Sequence, residues 1–303
     1  MKLPITAAAT TAAAALPVLL YAGAEYFFRY TFSRADRVPW SNIDDERILF
    51  DRDFFERPDR RALQITSRDG LRLRGWLYDQ GADVTVILFH GYRGGPEELS
   101  GIASKLFENG MNVLLVFHRA HGISEGKYYT MGTKEKFDAV DWAREIARRR
   151  PDGKIVLFGW SMGGNTVMGA VGEELPENVR CAVADCGYEN LKPQILYSCK
   201  RAMPKLPGKK AVLWLLGVHC RLFKGFEIDD PRSASLSRCR VPMLFIHGEK
   251  DPVVPYENLR LCYDACASEK NLSSYAQAVH VASGSSETER YFDELIGFIR
   301  SNT

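Results

Sequence analysis

One short stretch constrains the fold of this 303-residue chain more than any other: Gly159-Trp160-Ser161-Met162-Gly163. It follows an apolar run at 154–158 that reads as a buried strand, and it precedes 164–171, which reads as a helix. A chain that passes from strand to helix within a few residues must turn sharply. Side chains two residues before and two after Ser161 would then collide, and both positions are glycine. The same turn strains the serine backbone, lifts its hydroxyl to the top of a sheet and aims a helix N-terminus at it.

The rest of the chain supplies a sheet for that turn to sit on. Residues 62–66 and 71–78 alternate apolar with polar around Arg68-Asp69-Gly70, the pattern of an antiparallel hairpin at a sheet edge. More continuous apolar runs follow at 84–89, 111–117, 154–158, 179–184, 241–246 and 271–276, with helical periodicity at 97–108, 134–149, 256–267 and 287–299. Continuous apolar strands alternating with helices predict an α/β protein: a mostly parallel sheet covered on both faces. On such sheets a site forms beyond the strands' carboxyl ends. Residues 189–234 break the alternation. They carry Leu196, Tyr197, Leu206, Leu213, Trp214, Leu216, Leu222 and Phe226 without an evident strand, and predict a helical cap inserted above the site.

The N-terminus differs in kind. From Leu3 to Ala24 there is no charge, and about twenty such residues can cross a bilayer. Residues 1–30 therefore read as a membrane anchor, with 31–60, holding Pro39 and Pro58, as a charged connector and 61–303 as the folded domain. Lys2 precedes the segment and Arg29, Arg34 and Arg37 follow it, which places the domain on the cytoplasmic side. Tyr21, Tyr26, Phe27, Phe28 and Tyr30 would suit the interface. Two other readings stay open: a signal peptide cleaved near Ala22-Gly23-Ala24, giving a secreted protein, and an apolar helix that stays with the domain. The seven cysteines show no metal-ligand spacing and read as reduced thiols. A net charge of +2 gives no signal for nucleic acid, and Arg148-Arg149-Arg150 reads as a solvated helix end. The six histidines are scattered, so no metal is expected.

Serine is a poor nucleophile unless a base stands beside it and a carboxylate orients that base. After a Gly-x-Ser-x-Gly turn, the acid and then the histidine follow in chain order. Asp251, in His247-Gly248-Glu249-Lys250-Asp251-Pro252, and His280, beyond the last strand, occupy those places. Asp185 and Glu249 are alternative acids. An oxyanion would need two backbone N–H donors. Met162 opens the helix after the serine, and Tyr92 lies in the glycine-containing loop His90-Gly91-Tyr92-Arg93-Gly94-Gly95. His90, His121 and His247 read as hydrogen-bonded loop residues, while His118 and His219 have no evident partner.

Five segments in this order resemble a serine α/β-hydrolase of the type related to serine aminopeptidases and monoacylglycerol lipases. They are His90-Gly91-Tyr92, His121-Gly122-Ile123-Ser124-Glu125-Gly126, Gly159-Trp160-Ser161-Met162-Gly163-Gly164, His247-Gly248-Glu249-Lys250-Asp251, and His280. The resemblance covers about residues 60–301. It implies the α/β-hydrolase fold, with Ser161 as nucleophile, His280 as base, Asp251 as its acid, and Tyr92 and Met162 as oxyanion donors. One departure is clear: the family carries Asp where this chain has His118, a position read here as structural. The expected activity is hydrolysis of an ester, thioester or amide of a lipophilic small molecule, with no cofactor. A peptidase using Glu227, Asp229 or Asp230 to hold a free amino terminus is one alternative. A non-catalytic binding protein on the same scaffold is the other.

Overall fold

The computed structural model describes residues 5–34, 48–205 and 207–303, with side chains from residue 18 onward. Lys2, Leu3, Arg37, Pro39 and Leu206 lie outside the described residues. In chain order the elements begin with helices α1 (Ile5–Phe32) and α2 (Arg52–Phe55), then strands β1 (Arg61–Thr66), β2 (Arg72–Tyr78) and β3 (Val84–Phe89). Next come α3 (Ser100–Glu108), β4 (Asn112–Val116), α4 (Glu135–Arg149), β5 (Lys154–Trp160), α5 (Met162–Ala170) and β6 (Val179–Asp185). The chain continues through α6 (Leu191–Ala202), α7 (Lys209–His219), α8 (Arg232–Leu236), β7 (Met243–Gly248) and α9 (Glu257–Ala265). It ends with β8 (Lys270–Tyr275), α10 (Ser283–Ser286) and α11 (Thr288–Asn302).

The eight strands form one sheet in the order β1-β2-β4-β3-β5-β6-β7-β8. β1 and β2 form the expected antiparallel edge hairpin, and β2 also runs antiparallel to β4. From β4 to β8 every pairing is parallel. The strands are apolar on both faces, and successive residues feed opposite cores. Val86, Leu88, Val156 and Phe158 join one core with α3 and α11, whereas Ile87, Phe89, Ile155 and Leu157 join the other with α4, α5 and α9. Because β3, β5, β6, β7 and β8 run the same way, the loops after them meet at one edge of the sheet. β5 runs past its expected end and continues through Trp160 to the serine turn.

A third apolar cluster lies above that edge. It joins Leu191 and Ile195 of α6, Leu213 and Leu216 of α7, and Phe226 to Phe28 and Phe32 of α1. This corrects the reading of the N-terminus as a membrane anchor. Among the described residues no helix is long and apolar enough to cross a membrane. α1 has the length, but Ala and Thr add little hydropathy, and its last turns carry Glu25 and Arg29. Glu25 Oε2 lies 2.9 Å from both Lys224 Nζ and His219 Nε2, which gives His219 its partner. The aromatic residues meant for an interface divide instead. Phe28 and Phe32 are buried in protein while Tyr26 and Tyr30 are exposed. Full burial of a phenylalanine contributes about 1.5–3 kcal/mol, so the docked end of α1 has its own apolar anchor. The membrane placement of the chain, with the domain on the cytoplasmic side, falls with that reading.

Candidate active site

Ser161 has φ 53° and ψ −116°, a conformation that costs a non-glycine residue roughly 1–3 kcal/mol. The surroundings hold it there. Its N–H donates to the Asp185 carbonyl (2.8 Å) and its own carbonyl accepts from Asn165 N–H (2.9 Å). The flanking glycines are required for separate reasons. A Cβ on Gly159 would collide with the Gly163 carbonyl, and a Cβ on Gly163 would collide with the Phe89 carbonyl at the end of β3. So one glycine lets the turn close on itself, and the other lets α5 approach the neighbouring strand.

The turn brings Ser161 to residues far along the chain. His280 Nε2 lies 2.9 Å from Ser161 Oγ, and His280 Nδ1 lies 2.6 Å from Asp251 Oδ2. With Nδ1–H donating to the carboxylate, Nε2 is left to accept the serine proton. Asp251 is fixed independently: its Oδ1 accepts from Val253 N–H (2.8 Å) and Val254 N–H (2.9 Å). His247 Nε2 approaches Oδ2 at 3.3 Å. Burial opposes the charge on Asp251, but the contacts with His247, His280 and Val254 N–H outweigh it and hold the carboxyl well below the usual range. The second histidine on this acid lies four residues earlier, at the end of β7 itself.

The alternative acids are engaged elsewhere. Asp185 accepts from the Tyr291 hydroxyl (2.9 Å), and burial pushes its carboxyl up to about 6. Its Oδ1 is buried without a hydrogen-bond partner. Glu249 accepts from the Ser274 hydroxyl (3.0 Å) at the surface. Beneath the site His90, His118 and His121 pack as a cluster, with the His90 and His118 rings 4.6 Å apart. His90 Nε2 accepts from His118 N–H (3.2 Å), and His118 Nε2 lies 3.1 Å from the His90 carbonyl. Burial pushes His90 well down, His118 to about 3 and His121 to about 4, so all three are neutral near pH 7. The ring that stands where Asp was expected thus ties two strand-end loops together.

Ser161 opens into a cavity of about 250 Å³. Tyr92 and Met162 line it together with Ser161, and Gly91 runs against Trp160 and Ser161, so a Cβ there would sit 3.7 Å from Ser161 Cβ. Met162 is the first residue of α5, where backbone N–H groups have no intrahelical acceptor and carry the positive end of the helix dipole. The remaining lining is apolar or neutral, led by Met131, Tyr188 and Val254 from the domain and Ile195, Cys199 and Met203 from the α6 region. Among the described residues no charged side chain lines it. Tyr30 and Thr31 of α1 also form part of the wall, which the sequence reading missed. Glu227, Asp229 and Asp230 lie elsewhere, paired with Arg221, Lys192 and Arg232.

Among the described residues one group of possible metal donors comes together: Cys186, Asp251 and His280. It does not suit a resident ion. Asp251 and His280 are bonded to each other, and burial plus the charges of Asp185 and Asp251 push the Cys186 thiol well up, so it keeps its proton.

The fold has known counterparts. A family model for the alpha/beta hydrolase fold matches residues 84–216. An esterase of Pyrococcus furiosus superposes with a TM-score of 0.65 at 25% identity, over 80% of this chain and 91% of the esterase. The chain has the α/β-hydrolase fold. The uncharacterized protein YfhR of Escherichia coli (strain K12) is 25% identical to it over 253 residues, covering 79% of this chain and 80% of YfhR. A monoacylglycerol lipase of Mycolicibacterium smegmatis is 23% identical over 257 residues, covering 75% of this chain and 91% of the lipase.

Proposed function

We propose that this protein cleaves carboxylic esters of apolar acyl groups through an acyl-enzyme on Ser161. The observation that carries the reading is the hydrogen-bonded series Asp251–His280–Ser161 opening on an apolar cavity. Ser161 Oγ attacks the ester carbonyl while His280 Nε2 takes its proton. The imidazolium that forms faces the ionised Asp251, which stabilises it. The carbonyl oxygen becomes an oxyanion, held by the N–H groups of Met162 and Tyr92. His280 then returns the proton to the leaving alcohol oxygen, and the C–O bond breaks. Water enters, loses its proton to His280 and attacks the acyl carbon. The acid is released and Ser161 regains its proton. No step calls for a cofactor. Thioesters and activated amides would follow the same course.

The uncharged lining of the cavity favours an ester over a peptide with a free amino terminus, which would need a carboxylate partner. The relatives named above as an esterase and a monoacylglycerol lipase support the same class. The test is turnover of p-nitrophenyl esters by the wild type and Ser161→Ala. Loss of about 10⁴-fold or more in kcat is expected. Equal activity in both proteins would overturn the assignment, and faster cleavage of aminoacyl amides than of esters would move it to a peptidase.

A further inference from the structure

α1 lies outside the sheet domain, yet its last turn is built into the site. The final carbonyls of a helix lack intrahelical donors, and here residues around the cavity supply them. The Thr31 carbonyl accepts from the hydroxyls of Tyr129 (3.0 Å) and Tyr92 (3.3 Å). The Tyr30 carbonyl accepts from Arg93 Nη2 (2.7 Å), and the Phe32 carbonyl from Tyr129 N–H (3.1 Å). Tyr92 and Arg93 belong to the loop after β3 that passes Ser161. Beyond the helix, Arg34 Nη1 donates to the Ser124 carbonyl (2.8 Å). The helix end is therefore stitched to the domain on two sides, and Tyr30 and Thr31 line the cavity.

A smaller chamber of about 40 Å³ lies beside the main one, under α7. Tyr30, Thr31, Ile195, Cys199 and Met203 line both chambers and so form the partition between them. The main chamber falls just below the ~300–1,000 Å³ of pockets for drug-sized ligands, and its walls are almost wholly apolar.

We propose that the end of α1 is a wall of the acyl-binding site, and that Tyr30 and Thr31, facing Cys199 and Met203, set the length of acyl chain the enzyme accepts. The ligand class is an unbranched medium-chain acyl group, roughly six to ten carbons for a chamber of this size. The proposal rests on the ester-hydrolase reading for the identity of its ligand. The cavity can nevertheless be probed without any chemistry at Ser161.

The experiment is calorimetric binding of saturated fatty acids of graded length, the products of the proposed reaction, to full-length Ser161→Ala. The affinity should rise about fourfold per methylene, the worth of one buried CH₂, and then stop rising once the chamber is full. Adding Thr31→Trp should move that break to shorter chains and weaken octanoate at least tenfold relative to butyrate. Tyr30→Ala, at an exposed position where truncation is tolerated, should move the break to longer chains. A break that stays at the same chain length in both variants overturns the proposal, as does affinity of the parent Ser161→Ala protein that never depends on length. An α1 with a purely structural role would weaken every chain by one common factor and leave the break in place. Ester turnover is a separate readout. Length-dependent binding that shifts with α1, in a protein that hydrolyses no ester, would defeat the catalytic reading and leave this one standing.

Discussion

The two sides of the cavity are built by different means. On the serine side, backbone groups do the positioning: a strained Ser161, two glycines that admit close approach, and N–H groups that pin Asp251. On the α1–α6 side, apolar side chains from segments some 165 residues apart pack together, with hydrogen bonds at the helix end to hold the register. The first side tolerates almost no change in covalent structure, because a single added Cβ meets a carbonyl. The second can be reshaped by exchanging one side chain for another. A rigid reacting centre facing an adjustable wall lets the chemistry stay fixed while the accepted chain varies.

Substitutions on the two sides should therefore differ in kind. The largest effect is expected at Asp251. Asp251→Asn keeps the shape of the site but cannot stabilise an imidazolium at His280, and kcat should fall about 10⁴-fold. Asp185→Asn, at the end of the next strand, should cost less than about tenfold, since Asp185 is bonded to Tyr291 and not to His280. Steady-state kinetics of the two variants check this, and the reverse ranking would make Asp185 the acid.

The next effect is on stability. Gly163→Ala forces a methyl group into the Phe89 carbonyl and should cost roughly 2–4 kcal/mol. An alanine on the opposite wall, at Met203, should cost less, and thermal or denaturant unfolding of both variants measures the contrast.

A third test uses pH. Asp185 has a folded-state pKa of about 6, raised above its unfolded value by burial. The folded state therefore holds a proton that the unfolded chain has lost. Stability is fully present below about pH 4 and is lost as pH rises through 6, by up to about 3 kcal/mol. Asp185→Asn should flatten the stability profile across that window, read by urea unfolding at pH 4 and pH 7.5. An unchanged profile would show that Asp185 does not titrate there.

The smallest effect is expected at Glu25, which joins α1 to His219 and Lys224. Burial raises its pKa, but the hydrogen bonds from Arg29, Lys224 and His219 win and bring it to about 2. Its contribution is present above about pH 4.5 and is lost only as pH falls toward 2. Because the group is partly exposed, Glu25→Gln should speed amide hydrogen exchange in the last turns of α1 by no more than about fivefold. A much larger change would mean that the ion pairs, and not Phe28 and Phe32, hold the helix down.

The same contrast explains what could be read from the sequence. The serine turn, Asp251 and His280 are legible because each follows a strand in a short local pattern, and the sheet order brings strand ends together. Both flanking glycines were expected to clear each other, but Gly163 clears β3, a contact no local pattern encodes. His118 looked partnerless because its partner, His90, follows a different strand. The N-terminus misled for a related reason. Hydropathy counts apolar residues without recording what they touch, and Phe28 and Phe32 touch Phe226, nearly two hundred residues later. Tyr30 and Thr31 carried no signal at all, since an exposed tyrosine and a threonine at a helix end are ordinary.

The central claim is that Ser161 is a nucleophile activated by His280. The most direct test is labelling of the full-length folded protein with a fluorophosphonate, followed by intact mass and peptide mapping. The Ser161 oxygen should displace fluoride and form a single stoichiometric phosphonyl adduct on the peptide containing Ser161, lost in Ser161→Ala and slowed at least a thousandfold in His280→Ala. No adduct on the folded wild type, or an adduct on another residue, would contradict the account.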